Sequence, residues 1–131
     1  MAPVRHAQET PATPEAVGAL RRWVERQCQA AGVAVEQCAD ITLAVSEALS
    51  NVVMHAYVER DGPGPMRIRT EHDDHRLLIE VEDEGVGMRP RSDSPGAGLG
   101  LTLIATLAAE LELARGPNGN GVLVRMAFAL R

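Results

Sequence analysis

The chain has 131 residues, 45% of them hydrophobic, with a formal net charge of −5 and a pI near 5.3. That length and apolar share suffice for one domain with a sizeable core, and the acidic balance argues against the basic face that nucleic-acid binding normally shows. All 13 basic residues are arginine, so phosphate loops of the Gly-x-x-x-x-Gly-Lys-Ser/Thr type, which need a lysine, are excluded.

Met1 to Thr13 lacks an apolar signal core, and no apolar run approaches the ~18 residues of a membrane span, so a cytoplasmic location is expected. Residues 3 to 8 read as an edge strand. A helix then opens with Thr13 as N-cap and Pro14 in its first turn, and stops at Gly32. Its apolar positions Val17, Leu20, Val24 and Cys28 share one face, with Arg21, Arg22 and Arg26 turned away from it. Cys28 and Cys38 form no Cys-x-x-Cys and have no partner at metal-ligand spacing, which predicts reduced, buried thiols.

A second helix is predicted from Val35 to Tyr57, with Ile41, Val45, Ala48 and Val52 as its apolar stripe. At ~100° per residue, Asp40, Glu47 and Asn51 fall along one edge of that stripe. Asp61-Gly62-Pro63-Gly64-Pro65 breaks the chain, and Met66, Ile68 and Thr70 then alternate with Arg67, Arg69 and Glu71 as a half-buried strand does. After a turn at Asp73-Asp74, the next strand points Leu77, Ile79 and Val81 inward, and the same alternation puts Asp83 on the inward face. A carboxylate aimed there needs a hydrogen-bonding partner.

Residues 88 to 97 are polar and proline-bearing, suited to a short lid over a site. Leu99 to Leu111 reads as a helix whose start lies in the cluster Gly96-Ala97-Gly98-Leu99-Gly100-Leu101. Leu111 and Leu113 begin a strand, Gly116 to Gly121 turns, and Val122, Val124, Met126, Phe128 and Leu130 form the inward face of a last strand. With Trp23, Tyr57 and Phe128 the only aromatics, aliphatic side chains must fill the core.

Three groups of residues carry chemistry. Asn51 offers a carboxamide oxygen suited to magnesium, and Glu47, one turn away, can accept a proton from an attacking hydroxyl. Asp83 can accept a hydrogen bond from an exocyclic amino group, with Gly85 and Gly87 letting backbone pass close to a base. Gly98 and Gly100, where a loop enters a helix, expose amides that can cradle phosphates, and Thr102 can add a hydroxyl. His55 continues roughly the Asn51 edge and reads as a satisfied helix residue, with a contact behind the ligands or with the lid as the alternative.

Glu47-Ala48-Leu49-Ser50-Asn51 with His55-Ala56-Tyr57 resembles the N-box of the GHKL (Bergerat-fold) ATPases. Asp83-Glu84-Gly85-Val86-Gly87 resembles their G1 box, and Gly98-Leu99-Gly100-Leu101-Thr102 their G2 box. Small size and a short lid most resemble the anti-sigma-factor serine kinases of bacterial stress-response and sporulation switches. The resemblance runs from about residue 12 to 130 and implies an α+β two-layer sandwich, a mixed and mostly antiparallel sheet covered on one face by helices. On it, residues 1–131 are one histidine-kinase-like ATPase domain.

For the site, the resemblance implies ATP with magnesium on Asn51, the adenine amino group on Asp83, and Gly98, Leu99, Gly100, Leu101 and Thr102 at the phosphates. Glu47 would activate a serine or threonine hydroxyl on an anti-anti-sigma (STAS-type) partner. Such proteins, usually homodimers, sequester a sigma factor until the unphosphorylated antagonist displaces it. Two departures stand out. Asn120-Gly121-Val122 occupies the place where the family often has Gly-Gly-Thr, a lost neutral hydrogen bond worth ~1 kcal/mol. The lid, Arg89 to Pro95, has no motif of its own. A non-catalytic nucleotide-sensing module that sequesters a sigma factor or other regulator is the alternative, divided from a kinase by Glu47. A domain acting on histidine is disfavoured because the chain has no phosphoacceptor helix.

Overall fold

The computed structural model describes residues 2–85, 97–116 and 119–131. Five strands and three α-helices follow the order β1 (Val4–Pro11), α1 (Pro14–Ala30), α2 (Val35–Asn51), β2 (Pro65–His72), β3 (Arg76–Asp83), α3 (Ala97–Leu107), β4 (Glu110–Arg115) and β5 (Val122–Ala129). The strands form one sheet in the order β1-β2-β3-β5-β4, every ladder antiparallel. Among the described residues helices pack on one face only, which gives the two-layer α+β sandwich that the resemblance implies.

Local chemistry sets the element ends. The Thr13 hydroxyl accepts a hydrogen bond from the Ala16 amide at 3.2 Å, capping α1, and Gly32 ends the segment at φ +74°. The Asp73 carboxylate accepts from the amides of His75 and Arg76 at 2.8 and 2.9 Å, fixing the β2–β3 turn. In the core, Leu20, Val24, Ile41, Val45, Leu49 and Ile104 from the helices meet Met66, Ile68, Ile79, Val81, Met126 and Phe128 from the sheet, all buried. Cys28 and Cys38 are free and buried; burial, reinforced by the neighbouring Cys38, pushes the Cys28 thiol up to about 12, so it stays protonated. Among the described residues no helix is long and apolar enough to cross a membrane.

The face of the sheet that no helix covers is a grid of cross-strand ion pairs. Arg67 meets Glu9 at 2.6 Å, Arg69 meets Glu82 at 2.8 Å and Glu80 at 3.3 Å, and Arg125 meets Glu80 at 2.9 Å. This explains the Arg/Glu alternation of β2 and β3, and it lets Glu82 be buried with a partner.

Three boundaries differ from the sequence reading. β1 runs to Pro11, because its whole length pairs with β2. The predicted single helix over Val35–Tyr57 is α-helical only to Asn51 and continues as a π-helical turn, Val52–Ala56. Two consecutive β-branched residues, Val52 and Val53, stand at that change, and contacts made by Ala56 and Tyr57 hold it. α3 ends at Leu107 rather than Leu111, since the Ala109 amide already bonds the Ala127 carbonyl at 2.8 Å and Leu111 pairs with Met126.

Candidate functional site

α2 presents Glu47 and Asn51 one turn apart, both half-buried. The first turn of α3 lies against them. A Cβ on Gly100 would stand 3.2 Å from Asn51 Nδ2, 3.4 Å from Asn51 Oδ1 and 3.4 Å from Glu47 Oε2. Gly100 therefore keeps α3 close to the polar pair at a contact where a side chain would force a shift. Gly98, Leu99 and Gly100 all fall in the first turn of α3, whose leading amides have no intrahelical acceptor and can bind an anion. Leu101 packs partly buried against the core, and Thr102 is exposed one residue further on.

β3 delivers Asp83, 5% exposed, to the inward face at its end. Its Oδ1 accepts from the Gly85 amide at 2.9 Å and from the Val122 amide at 3.3 Å. Burial pushes its pKa above the usual carboxylate range; the two amides pull it back and the Glu82 charge adds to the rise. Asn51, His55 and Asp83 line one cleft whose other walls, including Ala48, Val52 and Val122, are apolar. A larger cavity, about 340 Å³, opens on the uncovered side of the sheet. Its Arg5 and Arg69 are paired with Glu71 and Glu80.

The end of the α2 segment is pinned to the Asp83 loop through main chain. A Cβ on Gly85 would sit 2.0 Å from the Ala56 carbonyl oxygen, so glycine is required there by the helix end itself. The Tyr57 hydroxyl donates to the Pro65 carbonyl and accepts from the Glu84 amide at 2.8 Å. Gly121, at φ +79°, would place a Cβ 2.0 Å from the Asp83 carbonyl oxygen. The Tyr57 bridge, the Gly121 contact and the Val122 amide are the features that sequence reasoning missed. Only the Asn120-Gly121 pair, a turn signal, hints at any of them.

Gly87 and the lid Arg89–Pro95 lie outside the described residues. The satisfied role expected for His55 is not observed among the described residues, where its buried Nε2 has no hydrogen-bond partner. The Gly85 contact yields a direct expectation. Gly85→Ala must push the Asp83 loop and the α2 segment end apart, at about 1–3 kcal/mol of overpacking, so thermal unfolding should show a clearly lowered midpoint. An unchanged midpoint would mean that this contact does not constrain the loop.

Among known proteins, a family model described as the histidine kinase-like ATPase domain matches residues 10–128. The serine-protein kinase RsbW of Bacillus pumilus is 39% identical over 74 residues, which cover 56% of this chain and 46% of that protein. RsbW of Bacillus subtilis is 37% identical over 75 residues, 57% of this chain and 46% of that one. The chain thus spans about half the length of the curated relatives it matches. Among solved structures, the RsbU and RsbW domains of a Mycobacterium tuberculosis protein superpose with a TM-score of 0.74 at 21% identity, over 99% of this chain and 33% of that one. A blue-light activated histidine kinase of Erythrobacter litoralis gives a TM-score of 0.59 at 34% identity, over 75% of this chain and 32% of that one.

Proposed function

The chain belongs to the histidine kinase-like ATPase domain family, and from that premise we infer that it is an ATP-binding anti-sigma regulator that phosphorylates a serine or threonine of an anti-anti-sigma (STAS-type) partner. The observation that carries this reading is the convergence of Glu47 and Asn51 with the first turn of α3 at Gly100. A proton acceptor, an oxygen donor for a cation and a row of amides for phosphate then share one wall. Relatives named serine-protein kinase support the activity.

In this reading Asp83 receives the adenine amino group, and Gly85 and Gly87 shape the loop beneath it. The segment Gly98, Leu99, Gly100, Leu101 and Thr102 meets the phosphates. Asn51 would hold magnesium through its amide oxygen, a hard donor of the kind this cation prefers. When bound, magnesium neutralises phosphate charge. Glu47 accepts the proton of the partner's hydroxyl as that oxygen bonds to the terminal phosphorus and the bond from that phosphorus to the bridging oxygen breaks, with ADP as the leaving group. The partners are a sigma factor, the STAS-type antagonist and a second copy of the chain.

Titrating magnesium-ATP against the pure protein is the first test, and no binding at millimolar nucleotide would overturn the reading. Asn51→Ala should abolish the magnesium-dependent part of that binding; retention of it would remove Asn51 from the metal. A second reading, a nucleotide-sensing module without phosphotransfer, is favoured by Val122, which lines the cleft without a hydroxyl. Transfer of labelled phosphate to a STAS-type protein separates the two.

A further inference from the structure

Glu36, Asp40, Leu43, Glu47, Ser50 and Met54 follow one another at alternating steps of four and three residues along α2 and the π-helical turn that continues it. At ~100° per residue that spacing keeps all six on one line. The line runs opposite to the side that buries Ile41, Val45 and Leu49 in the core. Two of its members are large apolar side chains in solvent, Leu43 at 43% and Met54 at 55% exposure. With a rise of ~1.5 Å per residue, Leu43 lies about 6 Å along the axis on one side of Glu47 and Met54 about 10 Å on the other. A single exposed apolar residue needs no explanation, but these two bracket the group assigned to the acceptor hydroxyl.

Charge along the line has one sign. Glu36, Asp40 and Glu47 are the only charged residues of α2, all acidic, and α3 has none. Among the described residues no ion pair includes any of the three, whereas Glu9, Glu80 and Glu82 on the uncovered sheet face are matched to arginines. Glu36 in the first turn also suits the positive end of the helix, but Asp40, a turn later, gains little from it. A protein that brings its hydroxyl to Glu47 has to cover the residues one turn away on the same line. The contact it finds there is apolar on both sides of the reaction point and acidic beyond Leu43. Resting on the kinase reading above, we propose that this line of α2 is the docking surface for the phosphate-accepting protein, which meets Leu43 and Met54 with an apolar patch and Glu36 and Asp40 with arginine or lysine side chains. Because Glu36 and Asp40 lie toward one end only, they also set which way round the partner sits.

The test follows phosphate transfer against acceptor concentration, with a purified STAS-type protein as the probe at saturating magnesium-ATP. Leu43→Ser combined with Met54→Ser should raise the KM for that protein about tenfold or more, with kcat and magnesium-ATP affinity within about twofold, as loss of apolar docking contacts does. Both side chains are exposed, so the melting temperature should stay unchanged. In the unmodified protein KM should rise with salt. Glu36→Gln combined with Asp40→Asn should raise KM at low salt and flatten that dependence, the signature of screened charge pairs at an interface rim. An unchanged KM in the Leu43→Ser, Met54→Ser protein overturns this inference alone, and so does a raised KM accompanied by weaker ATP binding or a lower melting temperature. A KM independent of salt overturns the basic character of the partner. A change of oligomeric state with KM intact assigns the face to a second copy of the chain and likewise overturns the inference. Absence of transfer by the unmodified protein overturns the kinase reading, and the docking role with it.

Discussion

Glu47→Gln is expected to reduce phosphoryl transfer to a STAS-type partner by about 10²–10⁴-fold while leaving magnesium-ATP affinity within about threefold, the pattern of a lost general base. The glutamine is nearly isosteric, so the packing of Glu47 against Gly100 survives and only proton acceptance is removed. Single-turnover transfer with labelled ATP and equilibrium binding on the same sample make the distinction. Equal transfer by the variant would sink the base assignment, whereas no transfer by the unmodified protein would move the chain to the non-catalytic reading.

The second large effect is expected at Asp83, where two variants separate structure from recognition. Asp83→Ala strands the Gly85 and Val122 amides, which Oδ1 now holds. Each unsatisfied buried group costs about 1–3 kcal/mol, so this variant should be strongly destabilised. Asp83→Asn keeps a carboxamide oxygen for those amides but can turn an NH₂ toward the base, so it should fold and lose more than about tenfold in ATP affinity. Tight ATP binding by a folded Asp83→Asn protein would remove Asp83 from the base.

Acidity gives an independent check on the same residue. Burial raises the Asp83 pKa above its unfolded value, so the folded chain holds this proton more tightly. The contribution of Asp83 to stability is therefore favourable at low pH and declines as pH rises from the ordinary carboxylate value through the folded one. Nucleotide affinity has the opposite sign, because an acceptor must be ionised. It should fall on acidification at a pH above the ordinary carboxylate range. In Asp83→Asn both slopes should vanish, as comparative unfolding and binding titrations would show.

Periodicity carried much of the architecture. The alternation Leu77, Ile79, Val81, Asp83 fixed the inward face of β3 because a strand has only two faces, and the apolar stripe of α2 placed Glu47 and Asn51 at its border. What periodicity could not convey was contact between backbones. Gly85 reads as a residue opened for a ligand, yet the atom nearest its absent side chain is the Ala56 carbonyl. The Val122 position reads as a missing hydroxyl, yet its amide holds Asp83. His55 reads as satisfied because hydrogen bonding across the fold is not encoded in helical spacing.

The change from α-helix to π-helical turn after Asn51 is, in genetic terms, one residue more than the α-helix needs to close that turn. Deleting one codon between Val52 and Met54 would let the segment relax to ordinary α-helix and turn every later side chain by about 100° relative to Asn51. The Ala56 carbonyl would then leave Gly85 and the Tyr57 hydroxyl would leave Glu84, while Glu47, Asn51 and α3 kept their places. Such an in-frame deletion would be felt at one half of the cleft only, so the two halves can vary under separate constraints.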